Sequence, residues 1–274
     1  MRQLRLVLSI AAVLFLGMAS AGADGKPYIV VASTTSTQNS GLFGHLLPRF
    51  RSKTGIAVRI VAVGTGQALR LARNGDADVL LVHHRASEER FVAAGFGVRR
   101  FEVMANDFVI VGPASDPARV GASTHAAEAF QSIAEAKALF LSRGDDSGTH
   151  KRELELWRAA GIDAHRASGT WYREAGAGMG ATLNSAAAMA AYTLTDRGTW
   201  LAFGNKAGLA VLVEGDARLA NPYGVILVNP KRHPHVKAAL GQAFIDWLIG
   251  PPGQAAIAAF RIGGRRAFMP SGGG

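Results

Sequence analysis

Ser142-Arg143-Gly144-Asp145-Asp146-Ser147-Gly148-Thr149-His150-Lys151 follows an apolar run at 138–141 and leads into a helical pattern at 153–160. A strand that ends in Gly and small hydroxyl residues and then opens a helix aims backbone N–H groups and the positive end of the helix dipole at one spot. Arg143 adds a forked, permanently charged donor. The stretch reads as an anion cradle set in an α/β fold. The alternative is an ordinary helix start, with Ser147 or Thr149 as N-cap and Asp145 and Asp146 favouring the positive end.

The same chemistry recurs three times. Segment 30–41 (VVASTTSTQNSG) is a strand running into a hydroxyl-rich turn before the periodic stretch 42–51, and 61–69 (VAVGTGQAL) is another strand, turn and helix start. A fourth, Gly-rich turn lies at 176–183 (GAGMGATL). Ser and Thr also favour caps, and Gly favours tight turns, so each turn alone has a purely structural reading. Four of them, with one cation between them, describe a small ligand held mainly by neutral N–H and O–H donors.

Apolar runs at 28–32, 56–63 and 79–82 alternate with helical patterns at 42–51, 67–73 and 87–94, the order of a mostly parallel sheet. After a further strand at 108–111 a second series follows: helix 126–136, strand 138–141, helix 151–160, a helix near 181–190, and strands 209–213 and 225–228. Two helices, 236–249 and 253–260, close the chain, with Pro251-Pro252 as a stop. Two series without a flexible linker predict two lobes joined by strand-like crossings. Ligands of open α/β sheets lie at the carboxyl ends of strands. Two of the turns belong to each series, which puts the ligand in the cleft between the lobes.

The chain has 274 residues, 49% hydrophobic and 18% charged, an ordinary globular composition. Its first residues stand apart: Arg2 and Arg5, an apolar run at 6–16 and small residues at 19–23 have the pattern of a secretory leader. The run is shorter than the roughly 20 residues a membrane span needs. With no cysteine, neither a disulfide framework nor a lipid-bearing cysteine is expected. The expectation is a soluble, exported protein starting near Asp24 that is not a lipoprotein. Its net charge of +10 falls to +8 without the two leader arginines. The basic residues are scattered and lack an aromatic stripe, so nucleic acid is not expected as a partner. An anionic ligand is.

Several segments closely resemble the extracytoplasmic solute-binding proteins of ABC importers, and among them the tungstate-binding components. They are 33–41 (STTSTQNSG), 63–69 (VGTGQAL), 74–82 (NGDADVLLV), 106–113 (NDFVIVGP), 142–151 (SRGDDSGTHK), 171–183 (WYREAGAGMGATL), 191–199 (AYTLTDRGT) and 221–228 (NPYGVILV). The resemblance implies an α/β, two-lobe periplasmic-binding-protein fold, type II-like, each lobe a mostly parallel sheet flanked by helices. It implies a leader at 1–23, a first lobe at 24–105 completed by 231–274, and a second lobe at 106–230. It also implies a periplasmic monomer that needs no cofactor and delivers one oxyanion to a membrane permease with its ATPase. Carried over onto this sequence, the oxyanion-binding residues are Thr35, Ser36, Thr37, Thr65, Gly66, Arg143, Ser147, Gly148, Thr149, Gly178 and Gly180. Departures from the family pattern are Ser33, Asn39 and the pair His83-His84.

The remaining chemistry is thin. His83-His84 and His233-Pro234-His235 lack the i, i+4 spacing and carboxylates of a metal site and read as solvated loop histidines. No G-x-S-x-G elbow or P-loop is present, so an exported hydrolase built on Asp145, Asp146, Ser147 and His150 is a distant alternative. Which oxyanion binds is open between tungstate, molybdate, sulfate and phosphate. Protonated phosphate needs an acceptor, whereas the other three are fully ionised near neutral pH and want donors only. Asp145 or Asp146 aimed into the cleft would favour phosphate; aimed away, tungstate.

Overall fold

The computed structural model describes residues 26–272, so the leader expected at 1–23 lies outside the described residues. The chain opens β1 (Tyr28–Thr34), α1 (Thr35–Asn39), α2 (Leu42–Thr54), β2 (Ala57–Val63), α3 (Thr65–Asn74), β3 (Val79–Val82) and α4 (Arg85–Ala93). Helices α2 and α3 both stop at a glycine in the left-handed region, Gly55 at φ 73° and Gly75 at φ 85°. Only glycine adopts that conformation without penalty, so each turn back toward the sheet is fixed locally.

Strand β4 (Gly97–Pro113) is 17 residues long and leaves the first lobe for the second. There follow α5 (Ala126–Glu135), β5 (Phe140–Ser142), α6 (Gly148–Ala159), β6 (Tyr172–Glu174), α7 (Met179–Met189), β7 (Thr193–Asp196), α8 (Arg197–Ala202) and β8 (Leu209–Val213). Strand β9 (Ala220–Val228) returns, and α9 (Ala238–Ile249), α10 (Pro251–Ala259), β10 (Arg261–Ile262), β11 (Arg265–Arg266) and β12 (Met269–Pro270) complete the first lobe.

The first-lobe sheet has the order β12-β4-β9-β3-β1-β2, with β1 parallel to β2 and β3. The two long strands lie antiparallel within it, β9 against β3 and β4 against β9. Their pairing ends at Asn106–Asn221 and Asp107–Ala220. Immediately beyond, from Phe108 onward, β4 pairs instead with β7 and β8 of the second lobe. Asn106 and Asn221 therefore mark where the chain crosses between lobes. In the second lobe β5 runs parallel to β6 and is tied to β7 by a parallel bridge from Phe140 to Tyr192.

Each lobe has apolar layers of its own. Phe50, Phe244 and Trp247 lie with Ile29 and Val31 on one face of the first sheet, and Leu80, Phe91 and Ile226 on the other. Phe130, Phe140, Trp157 and Tyr172 form the main cluster of the second lobe, with Val109, Leu183 and Trp200 in a smaller one. At about 1.5–3 kcal/mol for each large side chain withdrawn from water, each lobe draws most of its core from its own elements, with Leu201 of α8 packing across onto the first. The interface between them is free to be polar.

Candidate functional site

Four helix N-termini meet between the lobes. Thr34 caps α1, its Oγ1 accepting from the Thr37 N–H at 3.3 Å, and Ser147 caps α6, its Oγ accepting from the His150 N–H at 3.1 Å. Helices α3 and α7 start after Gly64 and Gly178, which have no side chain to cap with. Both lie against the facing elements: a Cβ at Gly64 would meet the Asp145 carbonyl oxygen at 3.4 Å and one at Gly178 would meet Thr35 Oγ1 at 3.8 Å, ordinary contact distances.

The lobes touch at this point. The Gly148 N–H of the second lobe donates to Thr65 Oγ1 of the first at 3.0 Å, and the Gly66 N–H donates to the Asp146 carbonyl at 3.3 Å. Because Thr65 Oγ1 already accepts from Gly148, its own proton remains available to a ligand. Gly66 is different, its N–H being spent on the clasp. Ser36, Thr37, Thr65, Gly66, Arg143, Ser147, Gly148 and Thr149 are all buried, while Thr35, Gly178 and Gly180 are half-buried. All eleven residues carried over from the sequence lie on these four turns, and contacts across the cleft link the turns to one another.

Arg143 follows β5 directly and is 2% exposed. Its Nη2 donates to Asp145 Oδ2 at 2.5 Å and its Nη1 to Thr149 Oγ1 at 3.5 Å, while Nε is buried without a protein partner. The second oxygen of Asp145 accepts the Ser147 N–H at 3.2 Å. Asp146 points outward, its carboxylate on Lys151 and 3.9 Å from Arg70 of α3. Both acids are thus committed to cations and backbone rather than to a ligand. Behind the loop, Glu153 accepts from Ser142 Oγ at 2.7 Å, Tyr172 Oη at 2.9 Å and Trp157 Nε1 at 3.2 Å. Burial pushes its carboxyl up to about 7, against the pull of those three donors.

The histidine pair departs from expectation: His83 and His84 are buried, not solvated. His83 ends a polar chain that runs through the lobe crossing. Its Nε2 lies 3.1 Å from Ser36 Oγ and its Nδ1 2.9 Å from Asn221 Oδ1. Asn221 Nδ2 donates to Asn106 Oδ1 at 2.6 Å, and Asn106 Nδ2 reaches Asp196 Oδ1 at 3.5 Å. Asp196 also accepts the N–H and hydroxyl of Thr199, at 2.9 and 2.6 Å. Burial, helped by the positive charge of Arg143, lowers His83 to about 4, so its ring is neutral near pH 7. Asn106, Asp196 and Asn221 lie in the segments 106–113, 191–199 and 221–228 that carry the family resemblance, but none stands out there as a site residue, because their mutual contacts join parts of the chain about 90 and 115 positions apart. His84 bonds Ser87 Oγ at 2.8 Å and reaches Glu155 of the second lobe at 3.3 Å.

No group of His, Cys, Asp or Glu that could hold a metal ion occurs among the described residues. Among them, too, no helix is long and apolar enough to cross a membrane. What the site offers is donors: the hydroxyls of Thr65 and its neighbours, the Arg143 fork, and N–H groups at the four helix starts.

Comparison with known proteins gives a consistent picture. The family model described as the PBP superfamily domain matches residues 19–252. The tungstate-binding protein TupA of Peptoclostridium acidaminophilum is 45% identical over 271 residues, covering 93% of this chain and 94% of its own length. A solved structure described as the tungstate ABC transporter from Geobacter sulfurreducens is 51% identical, with a TM-score of 0.78 over 85% of this chain and 98% of that one. The tungstate-binding protein TupA from Desulfovibrio alaskensis G20 is 45% identical, with a TM-score of 0.77 over 89% of this chain and 99% of that one.

Proposed function

The chain belongs to the PBP superfamily, with the tungstate-binding proteins just described among its relatives, and from that premise we propose that it captures tungstate in the cleft and delivers it to an ABC-type importer. Thr35, Ser36, Thr37 and Thr65 of the first lobe would hold the anion against Arg143, Ser147, Thr149, Gly178 and Gly180 of the second. Gly66 and Gly148, whose N–H groups bond across the cleft, serve by letting the lobes meet. The protein works outside the cytoplasmic membrane as a soluble monomer, without cofactor or turnover, and its partners are the importer's permease and ATPase.

The observation that carries the choice of anion is the commitment of the nearby acids. Asp145 has both oxygens engaged by Arg143 and Ser147, Asp146 faces Lys151 and Arg70, and Asp196 is filled by Thr199 and Asn106. A protonated phosphate would look here for an acceptor, while a fully ionised tungstate needs only donors. Calorimetry of ligand-stripped protein should show one tungstate per chain, bound more tightly than molybdate and far more tightly than sulfate or phosphate. Sulfate is smaller and would leave donors unsatisfied, each costing about 1–3 kcal/mol. Phosphate binding most tightly would refute the assignment.

One observation favours a second reading. Ser36, His83 and Asn221 touch in the order of a nucleophile, a base and an orienting amide. A base held at about 4 is a poor proton acceptor near pH 7, which weighs against hydrolysis. Turnover of carboxylic or phosphoric esters by the purified protein, lost in Ser36→Ala, would establish it.

A further inference from the structure

Positive charge is unevenly divided between the lobes. The segments 24–105 and 231–274 hold 17 Lys and Arg against 7 Asp and Glu, a net of +10, while 106–230 hold 11 against 13, a net of −2. Part of the excess gathers where α3, α4 and the turn after β9 adjoin the cleft. Arg73 and Arg232 lie over the Phe96 ring, 5.1 and 4.2 Å from its centre. Arg232 is also tied to the Ala94 carbonyl at 3.1 Å, and Arg90 to Ser87 Oγ at 3.0 Å. A hollow of about 350 Å³ opens there, lined by Arg70, Arg73, Arg90 and Ser87 and, from the second lobe, by Asp146 and Lys151.

Among the described residues, Arg73, Arg90 and Arg232 have no carboxylate within ion-pair distance, unlike Arg70, Arg85 and Arg100. Guanidiniums held over an aromatic ring keep their planar forks free and oriented for carboxylates. Three like charges without a carboxylate also repel until an anionic partner arrives. We propose that this arginine face is where an acidic surface of the importer's permease docks, with its Asp and Glu side chains entering the hollow. The proposal rests on the reading of the cleft as an importer's binding site. A protein partner fits better than an anionic membrane. The face is concave and local, and the adjoining lobe is net negative, so a flat anionic surface would repel one lobe while attracting the other. Because Asp146 and Lys151 complete the hollow only when the lobes meet, the docking surface is assembled in the closed protein.

The test is the triple reversal Arg73→Glu, Arg90→Glu, Arg232→Glu, none of which lies in the oxyanion cleft. Tungstate-loaded protein is titrated against the reconstituted importer in phosphatidylcholine nanodiscs, and ATPase rate is read against binding-protein concentration. The half-saturating concentration should rise by at least about tenfold, and that of the wild type should climb steeply with salt. Calorimetry should give unchanged tungstate affinity and the melting temperature should hold, while Arg158→Glu with Arg166→Glu on the second lobe leaves the titration as it was. An unchanged half-saturation in the triple variant overturns the proposal. So does a loss that appears only with anionic lipid in the discs, which would make the face a membrane contact. Wild-type protein that binds no tetrahedral oxyanion would instead sink the reading of the cleft, and the docking inference with it.

Discussion

Gly66→Ala isolates closure from ligand contact. Gly66 is the second residue of α3, and a Cβ built on it would lie 1.7 Å from Asp146 Oδ2, 2.7 Å from its Cγ and 3.3 Å from its carbonyl oxygen. The carboxylate is exposed and can swing aside, at the loss of its contacts with Arg70 and Lys151, but the carbonyl belongs to the backbone clasp itself. Overpacking of this kind costs about 1–3 kcal/mol, and the mobile side chain places this case at about 1–2 kcal/mol. Tungstate affinity measured by calorimetry should therefore fall about 5- to 30-fold. The open protein has no such clash, and alanine is the better helix former by up to about 1 kcal/mol, so the ligand-free melting temperature should hold or rise. Asp146 itself sits at φ 57°, a strained conformation for a residue with a side chain. Adding Asp146→Gly should relieve both the strain and most of the clash, recovering affinity in the double variant. Wild-type affinity in Gly66→Ala, or additive losses in the pair, would refute the clasp.

Arg143→Ala should weaken tungstate binding by about 2–4 kcal/mol, more than any hydroxyl loss, with Arg143→Lys recovering part; wild-type affinity on titration would reduce Arg143 to a prop for Asp145. Thr65→Val removes both the acceptor for the Gly148 N–H and a ligand donor, so affinity should drop about tenfold while Thr65→Ser stays near wild type; equal loss in the two would point to packing instead. Glu153 rises from 4.5 to about 7 on folding, so between those values the folded state keeps a proton the unfolded chain has shed, and this group's contribution to stability falls as pH rises through the window. With that contribution gone, the melting temperature of Glu153→Gln should climb with pH up to about 6.5, where the wild type stays nearly level. His83 acts in the opposite sense below about pH 6.5, where the unfolded ring gains a proton the buried one refuses, and that limb should persist in the variant.

The elements legible in the sequence are those whose signal is local. β1, β2 and β3 are largely apolar runs, the first two leading into Ser, Thr or Gly, and the turns after β1, β2 and β5 and before α7 announce their chemistry without help from the rest of the chain. The first half of β4 did not read as a strand because Arg99, Arg100 and Glu102 break its apolar character. Its pairing with β9 is with residues more than a hundred positions away. The histidine pair failed for the same reason. Nothing near His83 in the sequence hides it; Asn221, 138 residues on, does. The aim of Asp145 and Asp146 was likewise undetermined until backbone positions were fixed, because adjacent acids on one loop have identical local signals and differ only in which cation each meets.

The geometry explains why such a cleft should stay open until it is loaded. Helices α3 and α6, 10 and 12 residues long, meet start to start, with Gly148 at the head of one bonded to Thr65 at the head of the other. Each head carries roughly half a positive charge, and Arg143, only partly offset by Asp145, adds to it. Bringing these together in a dry site costs energy unless something negative lies between them. A doubly charged anion offsets that repulsion only when both heads face it, so its binding energy is larger for the closed form, which is the condition for a ligand to shift the equilibrium. Burial keeps His83 neutral and so spares the site another cation, and the chain from His83 through Asn221 and Asn106 to Asp196 keeps the crossing strands in register as the lobes meet. Selection for an anion is then a property of the closing motion as much as of the contacts, since a neutral ligand of the same shape would leave the two heads repelling.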